Sequence, residues 1–409
     1  MSREVPEGWN LLPLTDLANY INGRAFKPED WVSSGLPIIR IANMTNLDAA
    51  FNFYEGKDID DGHMIQDGDI LFSWSATLSI QKWTRGAGVL NQHIFKVVPT
   101  GAVQPDWLLY VLQNEVERLA DQSHGSTMKH IKKGVLKTHH VGVPPLHEQR
   151  RIAEILSSVD EAIAATRAVI KQTRKVKQGV LERLLTKGIG HTRSKQTEIG
   201  DIPEGWRVAE LSTLLESCTY GLNTSMESTP VGTPILRMGN IQDSEVSLAG
   251  LKYAVLDEVT KEKYSILRGD LLFNRTNSRE LVGKIAIVRE DLNASFASYL
   301  IRLRANCFND PFFIHCVLSS LRYQRLLRSI ATPGASQANI NATKLGNIVL
   351  PVPPVEEQRE ITKSMDALMA AENASLKSLN ELEVTKSALM SDLLTGRKRV
   401  TDALPMAAE

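Results

Sequence analysis

Few of the side chains that commonly perform chemistry stand at the spacing that a reaction or a metal ion needs. His139 and His140 are adjacent, with no cysteine or carboxylate at metal-ligand spacing. Cys218, Cys307 and Cys316 form no CxxC pair, so they predict neither a zinc site nor a disulfide framework. We expect both histidines at the surface and Cys307 and Cys316 in the core. The low cysteine content favours a reducing, cytoplasmic setting.

Cofactor and nucleotide motifs are also missing from the sequence. The Pro-Pro pairs stand in VPPL and VPPV with no Asn or Asp before them, so the adenine methyltransferase motif is absent. There is no GxGxxG after a strand, no P-loop and no HExxH. The sequence therefore predicts no catalytic residue, no metal site and no cofactor in this chain.

One charged triplet occurs twice. It reads Glu148, Gln149, Arg150 and again Glu357, Gln358, Arg359. Each copy falls in the first turn of a predicted helix, where a carboxylate interacts favourably with the helix dipole. We interpret the triplets as helix caps or as contacts for a partner protein, and not as catalytic residues.

Polar segments are the remaining candidates for a binding site, two in each half of the chain. The first contains Ser73, Trp74, Ser75 and Thr77, and its counterpart contains Asn274, Arg275, Thr276, Asn277, Ser278 and Arg279. The second contains Ser126, Thr127, Lys129, His130, Lys132 and Lys133, and its counterpart contains Ser336, Gln337, Asn339, Asn341 and Lys344. Arg, Asn, Gln and Lys are the residues that read base edges in the major groove, whereas a solvated loop is the alternative for any single residue.

The chain is a tandem repeat, and this places the polar segments in two similar halves. The segment Val5–Trp9 (VPEGW) recurs as Ile202–Trp206 (IPEGW), and VPPLHEQR at 143–150 recurs as VPPVEEQR at 352–359. The matches keep their order along the chain. They indicate a duplicated domain with a pseudo-two-fold internal repeat, and not a solenoid of short repeats.

Each half begins with a globular part of mixed pattern. In the first half, short apolar runs at Pro37–Ala42, Asp69–Ser73 and His93–Pro99 predict strands, and Pro105–Leu119 predicts a helix. We therefore expect two similar α+β domains, at residues 1–144 and, with a linker, at residues 191–353. The 409 residues and the 43% hydrophobic content suit such a multidomain globular chain.

Each half ends in a long helix. After Pro144-Pro145 and again after Pro353-Pro354, apolar residues alternate four and three apart, which predicts helices over 145–190 and 354–397 and leaves a tail at 398–409. Such a narrow apolar seam favours packing against another helix. The alternative is an amphipathic helix that lies on its own domain. Some 40 helical residues would span roughly 60 Å, which suits a spacer between two globular heads.

The formal net charge is zero, but the charge is unevenly distributed. Residues 1–144 carry −3, residues 145–195 carry +6, residues 196–353 carry 0 and residues 354–409 carry −3. The first long helix is therefore basic and the second acidic, which favours pairing between the two. The alternative is that basic residues of the first helix face DNA phosphates.

Essentially the whole chain, residues 1–400, resembles the specificity subunit of type I restriction–modification enzymes. The likeness rests on the repeated P-E-G-W, G-x-P-[IL]-[IL]-R-x-x-N and G-D-[IL]-L-F segments and above all on V-P-P-x-x-E-Q-R before a long helix. It implies two target-recognition domains that each read one half of a bipartite double-stranded DNA site. It also implies that the helices form an antiparallel coiled coil that sets the distance between the half-sites.

The same resemblance implies which partner subunits bind this chain and which of them carry out catalysis. Two methyltransferase subunits dock on the chain, and motor-nuclease subunits join them to cleave unmodified DNA. S-adenosylmethionine, ATP and magnesium belong to those partners, and this subunit is not itself catalytic. No membrane role is implied, in line with the absence of any run of about 18 apolar residues.

Recognition would then rest on readout of bases and phosphates. Arg40, Arg237, Arg275 and Arg279 are candidates for guanine, Asn43, Asn240, Asn274 and Gln337 for adenine, and Lys129, Lys132 and Lys133 for phosphates. Arg40 and Arg237 lie within apparent strands, so a structural role is the alternative for both. Two other readings of the whole chain are a specificity subunit of a related defence system with other effectors, and a protein-binding coiled-coil scaffold.

Overall fold

The computed structural model describes residues 5–121, 131, 133–334 and 337–400. The chain divides into two units, one made of Met1–Arg167 with Lys377–Glu409 and the other of Ala168–Leu376. We call residues 5–144 the first head and residues 191–353 the second head. Each unit holds one head, the beginning of the long helix that follows it, and the end of the other long helix.

The first head is built on two four-stranded sheets and a strand pair. Its elements are β1 (Asn10–Pro13), α1 (Leu14–Leu17), β2 (Ala18–Asn22), β3 (Leu36–Ile39), α2 (Ile41–Thr45), β4 (Asn52–Tyr54), β5 (Met64–Ile65), β6 (Ile70–Ser73), β7 (Ser79–Lys82), β8 (Gly88–Leu90), β9 (Ile94–Pro99), α3 (Pro105–Asp121), α4 (Lys133–Thr138) and β10 (His140–Val143). The strand orders are β2-β9-β6-β7 and β4-β3-β8-β5, and β1 pairs with β10. The first long helix, α5 (Leu146–Lys187), follows directly.

The second head repeats this plan with a larger main sheet. Its elements are β11 (Ser194–Thr197), β12 (Gly200–Pro203), β13 (Arg207–Glu210), β14 (Leu215–Tyr220), β15 (Thr233–Leu236), β16 (Ile241–Gln242), β17 (Glu245–Val246), β18 (Lys252–Ala254), α6 (Glu258–Lys263), β19 (Leu271–Asn274), β20 (Thr276–Asn277), β21 (Ile285–Ile287), β22 (Ser295–Phe296), β23 (Leu300–Ala305), α7 (Pro311–Ser319), α8 (Leu321–Ile330), β24 (Thr332–Pro333), β25 (Ala338–Asn339), α9 (Ala342–Gly346) and β26 (Val349–Val352). The main sheet has the order β14-β23-β19-β21-β17-β16, and two three-stranded sheets have the orders β18-β15-β22 and β20-β25-β24. The second long helix, α10 (Val355–Leu393), follows.

The core of each head lies between its main sheet and the helix that follows it. In the first head, Phe72 and Phe95 of the sheet pack with Trp107 of α3, and all three side chains are nearly inaccessible to solvent. In the second head, Phe273 and Ile301 pack in the same way with Phe313 of α7. The G-D-[IL]-L-F segments therefore form an interior strand of each main sheet, β6 or β19, and all four residues of each strand are buried.

The predicted strand Pro37–Ala42 is longer than the observed β3. The backbone N–H of Arg40 donates to Oδ1 of Asn43 at 3.1 Å, and this side-chain cap begins α2 at Ile41. The equivalent bond from Arg237 to Asn240 measures 2.9 Å. An asparagine four residues after the end of the strand thus turns the chain into a short helix, because it supplies a hydrogen-bond acceptor for the N-cap N–H at the helix start.

The two long helices run antiparallel within each unit. In the first unit, Asp160 of α5 pairs with Lys386 of α10, and Arg167 pairs with Glu383 at 2.6 Å. In the second unit, Arg174 pairs with Glu372 at 2.6 Å. Residue numbers on α10 fall as those on α5 rise, so the heptad seams meet in opposite directions, as the family resemblance implied. The ion pairs support electrostatic pairing of the basic helix with the acidic one.

A glycine in each head allows two chain segments to cross at close range. The backbone N–H of Gly23 donates to the carbonyl of Ile94, and the N–H of Gly221 donates to that of Leu300. A Cβ atom on Gly221 would lie 2.3 Å from the carbonyl oxygen of Ala297, and one on Gly23 would lie 2.2 Å from that of Asn91. The crossing therefore excludes every side chain at these two positions.

We predict that Gly221→Ala destabilises the second head, because backbone oxygen atoms cannot move away without breaking the turn they belong to. Overpacking of this kind typically costs about 1–3 kcal/mol. Gly239→Ala is the matched control, since no atom lies within 4 Å of its Cβ position. Urea unfolding of the full chain measures both. Equal stability of the two variants would contradict the close crossing.

Candidate nucleic-acid interface

The two polar segments of each head meet through the same backbone hydrogen bond. In the first head the N–H of Ile131 donates to the carbonyl of Trp74 at 2.9 Å. In the second head the N–H of Ile340 donates to the carbonyl of Arg275 at 2.9 Å. Segments that are some 60 residues apart in the chain thus form one surface in each head, at the end of strands β6 and β19.

A third segment joins this surface, and sequence patterns did not reveal it. The N–H of Trp74 donates to the carbonyl of His93 at 3.2 Å, and the N–H of Arg275 donates to that of Tyr299 at 3.0 Å. His93 and Tyr299 lie in the tight turns directly before β9 and β23. These are the turns whose carbonyl groups, of Asn91 and Ala297, approach Gly23 and Gly221. The signal in the sequence was the pair of polar residues, Gln92-His93 and Ser298-Tyr299, just before each strand.

The side chains on this shared backbone differ between the heads. The Trp74 ring lies against His93, with ring centroids 5.5 Å apart. At the equivalent place Arg275 lies 4.9 Å above the Tyr220 ring and donates to the carbonyl of Ser298 at 3.3 Å and to Asn339 at 3.4 Å. The first head therefore presents an indole against an imidazole at this place. The second head presents a guanidinium that lies over a tyrosine ring and bonds to polar groups.

Solvent reaches a subset of the predicted contact residues. Exposed or half-buried side chains are Trp74, Thr77 and Lys133 in the first head and Arg275, Thr276, Asn277, Ser278, Arg279, Gln337, Asn339, Asn341 and Lys344 in the second. Tyr299 adds an exposed aromatic ring, 43% accessible, beside Arg275. Ser126, Thr127, Lys129, His130, Lys132 and Ser336 lie outside the described residues.

Several predicted contact residues are instead buried. Ser73 is fully buried, and its hydroxyl donates to the carbonyl of Thr77 at 2.6 Å. Ser75 and Asn274 are likewise inaccessible. Within the described part of the chain, only Ser73 of the three has a side-chain hydrogen bond that stabilises the start of the loop, and neither amide atom of Asn274 has a hydrogen-bond partner. As buried groups, none of the three has access to a base. We leave them out of the contact surface proposed below.

The G-x-P-[IL]-[IL]-R-x-x-N segment forms an internal brace in each head. The amide of Asn43 donates to the carbonyls of Ala49 and Ala50, and that of Asn240 donates to those of Ser247 and Ala249. Both asparagines are at most 2% accessible. The guanidinium of Arg40 contacts the carbonyl of Ala50, and that of Arg237 contacts Gly250. Because these groups are committed to their own loop, we do not propose them as base contacts.

The charged triplets hold each head to its long helix. Nε1 of Trp9 donates to Glu148 at 3.0 Å, and Nε1 of Trp206 donates to Glu357 at 2.9 Å. The carboxylate of Glu148 also forms a bidentate pair with Arg399, which follows α10, and the carboxylate of Glu357 accepts from His191, which follows α5. The tryptophan of each P-E-G-W segment thus binds the glutamate at the start of the long helix. The same glutamate also binds a residue that follows the end of the other long helix.

The glutamines of the triplets complete this junction. Gln149 accepts from the backbone N–H of Gln104 and donates to the carbonyl of Pro144, and Gln358 makes the equivalent bonds to Asp310 and Pro353. Both glutamines are nearly inaccessible. Of the two triplets, only Arg150 and Arg359 are exposed. A structural role therefore accounts for the glutamates and glutamines, and the two arginines remain available to a partner.

Two expectations about single residues were wrong. His139 is buried, with Nε2 3.0 Å from a carboxylate oxygen of Glu115, whereas His140 is exposed. Cys307 is exposed, and only Cys316 lies in the core. Among the described residues, no cluster of His, Cys, Asp and Glu is arranged to hold a metal ion, and no helix combines the length and apolarity needed to span a membrane.

Comparisons with known proteins agree with the duplicated architecture. Residues 6–173 and 203–384 each match the model of the type I restriction modification DNA specificity domain. The chain is 26% identical over 408 residues to the type I restriction enzyme MjaVIII specificity subunit of Methanocaldococcus jannaschii, covering 97% of this chain and 94% of that protein. It is 24% identical to the EcoKI specificity subunit of Escherichia coli, covering 92% and 85% of the two chains.

Solved structures show the same fold. The S subunit of a type I restriction–modification system from M. genitalium superposes with a TM-score of 0.59 at 14% sequence identity and covers 98% of each chain. A chain from a structure of the complex assembly and conformational transition of a type I system gives a TM-score of 0.57 at 16% identity, covering 97% of this chain and 100% of that one.

We predict that Glu148→Gln destabilises the first unit by about 1.5–3 kcal/mol at neutral pH, since a charge-assisted bond to Arg399 is lost. Burial raises the pKa of the Glu148 carboxyl, but the hydrogen bonds from Arg399 and Trp9 outweigh burial and lower that pKa below its usual range. The stabilisation is therefore present above the unfolded pKa of about 4.3 and is lost as the pH falls through the folded pKa.

Urea unfolding between about pH 3 and pH 7 checks this expectation, because the wild type should lose more stability on acidification than Glu148→Gln does. Glu154→Gln is the control, since Glu154 is exposed on the same helix and pairs only with the neighbouring Arg151 among the described residues. Identical pH profiles for the wild type and Glu148→Gln would refute the role of this carboxylate.

Proposed function

The chain belongs to the type I restriction–modification DNA specificity family, and on that premise we propose that each head reads one half of a bipartite double-stranded DNA target. The observation that carries the proposal is the shared backbone of the two heads at the joined polar segments. Identical main-chain bonds hold different side chains, Trp74 and His93 in one head and Arg275 and Tyr299 in the other. Two surfaces that share a backbone arrangement but carry different side chains are suited to reading two different half-sites.

The proposed contact surface combines three segments in each head. In the second head these are the loop Arg275–Arg279, the turn with Tyr299, and Gln337–Asn341. Arg and Asn or Gln side chains form bidentate contacts to guanine and adenine, each worth about 1–3 kcal/mol of discrimination. In the first head, Trp74, Thr77, His93 and Lys133 form the described part of the corresponding surface.

Catalysis resides in partner subunits. Specificity subunits of this family select the DNA sequence and act within an enzyme complex, in agreement with the lack of enzyme motifs in the sequence. We propose that two methyltransferase subunits bind the chain, with Arg150 and Arg359 as exposed contacts, and that motor-nuclease subunits complete the assembly. S-adenosylmethionine, ATP and magnesium would be bound by those partners. We propose a cytoplasmic location, where host DNA is accessible.

The two long helices are proposed to set the distance between the half-sites. Each helix leads from one unit into the other, since α5 covers Leu146–Lys187 and α10 covers Val355–Leu393 while the units divide at Arg167 and Leu376. Polar seam residues fix the register: Lys177 and Arg174 both reach the nearly buried carboxylate of Glu372. A polar group within an apolar seam disfavours shifted pairings, because a shift would leave the charge buried alone.

We predict that Tyr299→Ala changes the preferred bases in one half-site only, and that His93→Ala changes them in the other half-site only. The complex with its methyltransferase subunits is given a DNA library with both half-sites randomised, and sequencing of methylated positions reads the preference. Arg279→Ala, in the same head as Tyr299, should affect the same half-site as Tyr299→Ala.

Matched controls lie away from the proposed surface. Phe308→Ala removes a ring that is 76% accessible and follows the opposite end of β23, and His140→Ala removes an exposed imidazole in β10. Neither should alter any base preference. If Tyr299→Ala altered both half-sites, or if Phe308→Ala altered either one, the assignment of one surface to each head would be wrong.

Deleting one heptad from each helix should shorten the preferred spacer. Removing residues 164–170 and 377–383 together eliminates both members of the Arg167–Glu383 ion pair and leaves neither charge behind. Seven residues correspond to about 10 Å of helix, or roughly three base pairs. Inserting one heptad at the same places should lengthen the spacer by a similar amount. A library with variable spacers measures both, and an unchanged optimum would rule out the helices as the ruler.

A further inference from the structure

The second head carries a stripe of arginines that its DNA-reading loops do not include. Arg322, Arg325 and Arg328 are exposed on α8 and recur every three residues, so their side chains share one face of the helix. The opposite face buries Tyr323 and Leu327 in the core. In the part of the chain that the structure describes, none of the three guanidinium groups forms an ion pair, and α8 contains no acidic residue. Arg322 donates one hydrogen bond to the carbonyl of Ile199, which leaves its other N–H groups and its charge available to a phosphate.

The stripe leads directly into the proposed reading surface. Helix α8 ends at Ile330, and the next residues form β24, which pairs with β25, which in turn pairs with β20 of the reading loop. Nζ of Lys344 donates to the carbonyl of Ile330 and to the hydroxyl of Thr332 at 2.8 Å. The helix that carries the arginines is therefore joined through β24 and β25 to the reading loop within the second unit.

The described part of the corresponding helix in the first head carries no such stripe. The last two described turns of its helix α3 carry Glu115, Glu117, Arg118 and Asp121. Arg118 is engaged with Glu115 at 3.0 Å. The corresponding region of the first head is thus acidic overall, although the two heads share their backbone plan. Among the described residues of these helices the cationic stripe occurs on α8, which indicates a role that is specific to the second head.

We propose that the α8 stripe binds successive phosphates of the DNA backbone next to the half-site read by the second head, an inference that rests on the proposed function. Arginines three residues apart are separated by about 4.5 Å along the helix axis, and one DNA strand carries a phosphate about every 3.4 Å along its axis. Long guanidinium side chains reach two or three neighbouring phosphates from this spacing, and Arg is well suited to phosphate because it donates in a planar fork.

The consequence is an asymmetric complex. The second head supplies sequence-independent affinity through the stripe as well as base readout, whereas the first head depends on base contacts and on its lysines. Neutralising the stripe should weaken binding to target and to unrelated DNA by the same factor and leave base preference unchanged, because phosphates carry no sequence information.

The experiment uses the full chain with its methyltransferase subunits and compares Arg322→Gln/Arg325→Gln/Arg328→Gln with the wild type. Fluorescence anisotropy with a target duplex and a scrambled duplex gives the binding constant between about 50 and 200 mM salt. Each lost phosphate contact should reduce the slope of log K against log salt by about 0.9, so the triple variant should lose about 2 to 3. The triple Arg→Lys variant keeps the charge and should retain most of the slope.

The charge-matched control is Lys261→Gln/Lys263→Gln/Arg268→Gln. These three cations precede β19, whereas the reading loop follows the other end of that strand. This control should leave the slope unchanged. An unaltered slope in the arginine variant, an altered base preference, or a loss of methyltransferase binding without a change in slope would each overturn the proposal, the last by marking α8 as a protein-binding surface. A wild-type complex with no preference for a bipartite site would instead reject the proposed function.

Discussion

The hydrogen bond between a tryptophan indole and a glutamate carboxylate at the start of each long helix is the constraint on which the rest of the structure depends. Trp9 binds Glu148 in one unit and Trp206 binds Glu357 in the other. Each glutamate also binds a residue that follows the opposite helix, Arg399 or His191. Head, helix start and helix end therefore converge on one carboxylate, and a head cannot turn on its helix without breaking charge-assisted bonds in a largely buried place.

A net charge of zero is unusual for a protein that binds DNA, and the structure shows how the two are compatible. Much of the charge of the long helices is used internally, as in the contacts of Arg174 and Lys177 with Glu372. Burial raises the pKa of Glu372, but its two cationic partners outweigh this and lower it. What remains for DNA is local: exposed cations around the reading loops and the stripe on α8. Bulk charge is thus a poor guide when many charges of a protein pair with one another.

The repeat and the helices were predictable because their signals are periodic. Identical motifs in the same order require two similar domains, and a heptad over some 40 residues requires a partner helix. The roles of Asn43 and His139 were not predictable in this way. Asn43 is polar and stands after a strand, as a base-reading residue would, but its amide completes a loop whose carbonyls come from residues 49 and 50. His139 has its carboxylate partner, Glu115, 24 residues away on helix α3.

The proposed reading surface was predicted from the sequence only in part. The loops after β6 and β19 were found because they are polar, whereas the turn with His93 or Tyr299 was missed because it consists of only two residues before a strand. Only the backbone bonds from Trp74 and Arg275 bring that turn to the surface. Sequence patterns identify the separate polar segments. Whether these segments meet depends on the strand order and on the close crossing at Gly23 and Gly221, and neither can be read from the sequence.

The most direct test of the account is to map every adenine that the complex of this chain with its methyltransferase subunits modifies in a fully sequenced DNA. Two heads of one design with different side chains predict a single motif made of two short, unrelated specific sequences, separated by a spacer of fixed length and arbitrary sequence. A contiguous motif, two identical half-sites, or modification without any sequence preference would contradict the assignment of one half-site to each head.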